Sequence, residues 1–169
     1  MAIGDSAICG SFKQQILAGI HFLTAHTRAS STISADTFKV AMFTNSSSID
    51  ADTTGYTTSN EVSGTNYSAG GATLSSVTIG LGDNSSAVPT AFVDFADTTF
   101  SSSTISSARG ALIYNSTLSS AGTGSTVNHA ADPAVAVINF GGDKSSSAGD
   151  FTIQYPANDA NCEVIRIAY

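Results

Sequence analysis

From Phe38 onward the chain runs in short apolar stretches of period two, each closed by a cluster of Gly, Ser or Asn. Phe38, Val40 and Met42 alternate with Lys39, Ala41 and Phe43, and Val77, Ile79 and Leu81 alternate with Thr78 and Gly80. Alternation of this kind puts successive side chains on opposite faces of a strand. Five more runs of β type follow: Ala91 to Phe95, Ala111 to Tyr114, Ala134 to Phe140, Phe151 to Tyr155 and Val164 to Tyr169. Between them stand Asn45-Ser-Ser-Ser, Gly70-Gly71, Gly82-Asp83-Asn84, Ser101-Ser-Ser, Gly141-Gly142-Asp143 and Ser145 to Gly149, which read as strand-ending turns. Seven or eight short strands with such turns predict an all-β fold, an antiparallel β-sandwich of jelly-roll or immunoglobulin-like kind.

The N-terminal segment breaks this rhythm. Over Ser11 to Thr24, Phe12, Ile16, Ile20 and Leu23 recur at intervals of four, four and three, and Ser11 and Gln14 have the spacing of a capping box. That spacing predicts one amphipathic α-helix, in which Gly19 costs up to about 1 kcal/mol relative to Ala. The expected organisation is an N-terminal helical arm over residues 1–30 and a single β-sandwich domain over 31–169. The apolar stripe Phe12, Ile16, Ile20 and Leu23 is a candidate contact with another subunit, its rival being packing on the chain's own sheet.

Composition narrows the function. Ser and Thr make up more than a quarter of the residues, while charged residues make up 11%, less than half the usual share of about 25%. A hydroxyl-rich surface suits close contact with neighbours, because burying a hydroxyl costs far less than burying an ion. The net charge is −7 and the six cations (Lys13, Arg28, Lys39, Arg109, Lys144, Arg166) are scattered singly. Without a cationic track neither nucleic acid nor an anionic membrane is an expected partner. No apolar run approaches the bilayer-spanning length of about 20 residues, and the N-terminus lacks a signal-peptide pattern, so synthesis in a cytoplasm is expected. Cys9 and Cys162, far apart and outside any metal-binding spacing, are expected to be free thiols there.

Candidate chemistry is sparse. His21 and His26 are five apart, off the spacing of a helical metal pair, and neither Asp50/Asp52 nor Asp94/Asp97 sits in a calcium-loop pattern. His129 stands near Asp132 in the long segment Leu118 to Pro133, but no nucleophile-elbow pattern marks a serine for it. Neither an enzyme nor a cofactor is expected. Arg109, opening the run Gly110 to Tyr114, is a candidate structural ion pair whose loss should destabilise the fold.

Taken in order, FKVAMFTNSSSIDADTTGYTT, EVSGTNYSAGGATL, ARGALIYN, AVAVINFGGDKSSSAGDFTIQYP and VIRIAY resemble segments of small β-rich virion structural proteins of tailed bacteriophages, among them capsid decoration and cement proteins. The resemblance covers most of Phe38 to Tyr169 and brings no catalytic residues. It implies a non-enzymatic protein of the virion, made in the host bacterial cytoplasm, that binds the assembled head lattice and links capsomers. The implied partners are the major capsid protein and further copies of the chain, as a homotrimer. The alternative is a tail or fibre-associated module that binds a host glycan, for which Tyr56 and Tyr67 are the candidate aromatic platforms; together with Phe12, Ile16, Ile20 and Leu23 they are also the candidate capsid or subunit contacts.

Overall fold

The computed structural model describes residues 3–124, 126–156 and 164–168, so Cys162 and Tyr169 lie outside the described residues. In chain order the elements are β1 (Ala7–Ile8), α1 (Gly10–Leu17), β2 (His26–Arg28), β3 (Ser31–Ile33), β4 (Phe38–Thr44), β5 (Gly64–Thr65), β6 (Ala72–Thr73), β7 (Thr78–Asp83), β8 (Pro89–Asp94), β9 (Thr98–Asn115), β10 (Ala134–Ile153) and β11 (Ile165–Ile167). The protein is mostly β, with antiparallel sheets and one short helix among the described residues. A six-stranded sheet has the order β1-β10-β9-β4-β6 with β5 also on β9; a three-stranded sheet has the order β11-β8-β7; β2 and β3 form a separate pair.

At the centre of the large sheet lie β4, the second half of β9 and the first half of β10. Each is buried on both faces, which is why FKVAMF, ALIYN and AVAV read as near-continuous apolar runs. One hydrophobic cluster joins this centre to the small sheet through Val93 and Ile165, and to the N-terminal segment through Ile3, Cys9, Phe12 and Leu23. Part of the N-terminal segment joins the same core: β1 pairs with β10, and Phe12 is 1% exposed inside the common cluster.

Two strands are much longer than the sequence rhythm predicts, because the expected turns at Ser101-Ser-Ser, Gly141-Gly142-Asp143 and Ser145 to Gly149 are bulges within β9 and β10. Ser102, Ser107, Gly141 and Ala148 adopt positive φ there and carry the register shifts. A bulge leaves backbone amides without ladder partners, and here hydroxyls take over. Ile105 N donates to Ser146 Oγ at 3.2 Å, Ser107 N to Ser145 Oγ at 3.0 Å and Ala148 N to Thr104 Oγ1 at 3.0 Å. Residues that commonly end strands thus continue these two by supplying side-chain acceptors.

Candidate functional site

The site is built around α1, which is shorter than its apolar spacing predicts. Cys9 is its N-cap, in extended conformation and without a side-chain cap. The expected Ser11/Gln14 capping box does not form. Its place is taken by tertiary anchors: Cys9 N donates to Val135 O at 2.9 Å, Gly10 N to Ala51 O at 2.8 Å, and Ser11 Oγ reaches Thr53 O at 3.5 Å. The other end closes on Gly19, with φ +70°, as Gly19 N donates to Ile16 O at 3.1 Å and Ile20 N to Gln15 O at 3.0 Å. This is the paired-bond stop that a glycine in the left-handed region allows. Gly19 is the helix terminator and not an interior weakness. Ile20 and Leu23 consequently lie beyond the helix, Leu23 buried and Ile20 half-buried, while Phe12 is buried and Ile16 half-buried.

Leu17, one residue off the stripe, is 90% exposed at the end of α1. Across from it lies the small sheet, whose register sets two apolar rows on one face: Ile79–Val93–Ile165 and Leu81–Ala91–Ile167. The first row enters the core, with Val93 5% and Ile165 1% exposed; the outer members Ile79, Leu81 and Ile167 are 55%, 78% and 56% exposed. A groove of about 550 Å³ runs between helix and sheet, lined by Ile8, Phe12, Ile16, Leu17, Ile165 and Ile167, with Lys13 and Arg166 beside it. Fully burying one such aliphatic side chain is worth about 1.5–3 kcal/mol, so this surface holds a real driving force for association.

Behind the groove a buried polar chain fixes the helix. His21 Nε2 lies 2.9 Å from Gln15 Oε1, and its Nδ1 is 3.0 Å from Asn115 Nδ2. Since the Asn115 amide donates, Nδ1 accepts, and the ring proton sits on Nε2 facing Gln15. Gln15 Nε2 then donates to Asn128 O at 3.1 Å, tying the long 118–133 segment to the helix. Asn115 Nδ2 also donates to Asp36 Oδ2 at 2.7 Å, which accepts Phe22 N at 2.9 Å. Burial holds the His21 pKa down to about 4, against the opposing pull of Asp36 and with a small push from His129. The imidazole is neutral at neutral pH.

Tyr56 and Tyr67 belong to a second internal network. Both hydroxyls donate to the Glu61 carboxylate, at 2.6 and 2.7 Å, and Gly70 N adds a third bond at 2.8 Å. Met42 N donates to Tyr67 Oη at 2.9 Å, and Tyr56 stacks on Tyr114 at 4.5 Å between centroids. Burial, reinforced by the hydrogen bonds to Glu61, pushes both phenols well above their ordinary pKa. Tyr67 is buried and Tyr56 half-buried, so neither offers an open ring as a platform.

The remaining sequence candidates are dispersed. Arg109 Nε meets Asp143 Oδ1 at 2.7 Å across the β9/β10 bulge, with side chains 29% and 46% exposed. His129 Nδ1 lies 2.9 Å from Ala130 O, its ring covers Gly122, and no hydrogen bond to Asp132 is found among the described residues. Asp97 accepts Tyr155 N at 3.0 Å, and Asp50 closes its own turn through Asp52 N at 2.9 Å. Among the described residues no group of three His, Cys, Asp or Glu side chains is placed to hold a metal ion. The Cys9 thiol is free and buried, with its pKa raised to about 12 by burial and by Asp50.

Sequence reasoning passed over Leu17, Ile167 and the exposed row on β7, and also Gln15, Asp36, Glu61 and Asn115. The β7 row had a signal: Ile79 and Leu81 alternate with glycines, the mark of a strand with one bare face. Comparisons with family models, with curated proteins and with solved structures return no match to this chain.

Proposed function

We propose that this chain is a non-enzymatic structural protein of a tailed-phage virion, a capsid decoration or cement protein that binds the head lattice through the groove between α1 and β11. The observation that carries the reading is the apolar groove itself, with Leu17 and Ile167 exposed along it on a charge-poor molecule. Large exposed apolar patches mark interaction surfaces, and a lattice lets modest contacts act together over many sites. The ordered resemblance of five segments to phage virion proteins suggests the setting and the partner, the major capsid protein, with homotrimers formed on the lattice and not in free solution. A shared core between the six-stranded and three-stranded sheets supports a sandwich-type arrangement. With Tyr56 and Tyr67 committed to Glu61, nothing favours the glycan-binding alternative.

The test is co-sedimentation of the full chain with emptied heads of the encoding phage, beside a count of copies per virion by quantitative mass spectrometry. The expected result is saturable binding at a copy number matching the capsomers, abolished by Leu17→Asp. Failure of the unaltered chain to bind heads, or a copy number of a handful per particle, would overturn the capsid reading.

A further inference from the structure

We propose that β7 is a homotypic pairing edge, through which two copies of this chain join antiparallel into one continuous sheet. The inference does not depend on the virion reading, since it concerns the chain's contact with itself.

Open strand edges are normally guarded by bulges, Pro or charge, and this protein treats its two sheets differently. The outer edge of β10 beyond β1 is broken by register shifts between Asn139 and Phe151. Among the described residues the small sheet has no such device on β7 over residues 79–82. Its register with β8 is unbroken from Thr78↔Asp94 to Asp83↔Pro89, and among the described residues no strand lies on its other side. The strand sequence TIGLGD contains no Lys and no Pro.

The same sequence is complementary to itself. When Gly80 faces the second copy's Gly80 across a two-fold axis, Ile79 stands opposite the second copy's Leu81 and the reverse, all on one face. These are the side chains left 55% and 78% exposed in the single chain. Such cross-strand aliphatic pairs stabilise a sheet. On the opposite face Gly80 is covered by the Phe92 ring, so it cannot take a side chain without displacing that ring. The one charge on β7, Asp83, falls at the strand end. In this register the two Asp83 residues stand roughly 20 Å apart, beyond the Debye length at physiological salt.

A six-residue edge of this kind covers on the order of 400 Å² per copy, against about 800 Å² in a standard stable interface. The pair is therefore a weak one, strengthened wherever copies are held close together.

The experiment is sedimentation velocity on the full chain from about 10 to about 500 µM, at low and high salt. A reversible dimer that tightens with salt is expected, because each copy carries −7. Leu81→Lys should weaken it about tenfold or more, with an unchanged melting temperature, as the residue is largely exposed. Leu17→Ser, on the helix, should leave it unchanged. A monomer throughout the range, a dimer indifferent to Leu81→Lys, or a dimer lost with Leu17→Ser overturns the proposal. Loss of association as salt rises does so as well.

Discussion

Acidification from about pH 7 to about pH 5 should remove about 2 kcal/mol of stability through His21 alone. In the unfolded chain this imidazole takes up its proton near the ordinary histidine pKa of about 6.5. In the folded protein it stays neutral until the pH falls to about 4. Its two ring nitrogens are already committed, Nδ1 as acceptor to Asn115 and Nε2 as donor to Gln15, so an added proton on Nδ1 would face an amide donor. The unfolded state therefore binds the proton first. The stability is whole above the unfolded pKa, declines by about 1.4 kcal/mol per pH unit as the pH drops through the interval, and levels off below the folded value at a loss of about 3 kcal/mol. Asp36 and His129 are the charged or titratable groups that act on the ring. Urea unfolding of the native chain and of His21→Gln, at several pH values across this window, isolates the effect because other carboxylates contribute equally to both. The difference should shift the midpoint by about 1 M urea between the two pH extremes. Equal pH dependence in the two proteins, or a His21 titration near its ordinary value by NMR, would refute the reasoning.

Two further outcomes follow from the bulged strands. Ser146→Ala leaves the buried Ile105 N–H without its acceptor and should cost about 1–3 kcal/mol by denaturant unfolding, whereas Ser147→Ala, its exposed neighbour, should stay within about 0.5 kcal/mol. Arg109→Ala breaks an ion pair open to solvent, so the same assay should register a loss of at most about 1 kcal/mol and less at high salt.

The strands were legible where burial on one or both faces imposes a pattern, as in β4, β8 and β11, whereas β7 was legible only from the alternation of Ile79 and Leu81 with glycines, none of its residues being buried. Turn chemistry misled at Ser101-Ser-Ser and Ser145 to Gly149, because the residues that end a strand are the same ones that let a strand bulge and continue. The helix end was ambiguous for a related reason: Gly19 fits either an interior position or a terminator. The spacing of Ile20 and Leu23 prolongs the stripe although the chain has already reversed. Leu23 returns to the core by a different path and Ile20 stays half-buried outside it, which no period of 3.6 can reveal. Leu17 was overlooked because exposure, unlike amphipathicity, depends on where the small sheet stops. The polar chain was beyond reach: His21 and Asn115 are 94 positions apart, and only β9 brings them together.

The high Ser and Thr content, which composition alone assigns to a wet and weakly charged surface, does structural work in the interior of the β9/β10 ribbon. Ser103 is fully buried and its hydroxyl bonds both Ser146 Oγ at 2.9 Å and Gly149 O at 3.2 Å. Hydroxyls can satisfy a bulge where aliphatic side chains cannot, and bulges in turn spoil an edge for foreign strands. The composition thus closes the long edge of the large sheet to strand addition. Among the described residues, what has no further strand beside it is the β7 edge of the small sheet, where residues 79–82 are glycines and aliphatic residues with no hydroxyls. On the proposals made above, partners would meet the molecule on that side, by the distribution of serine as much as by that of leucine.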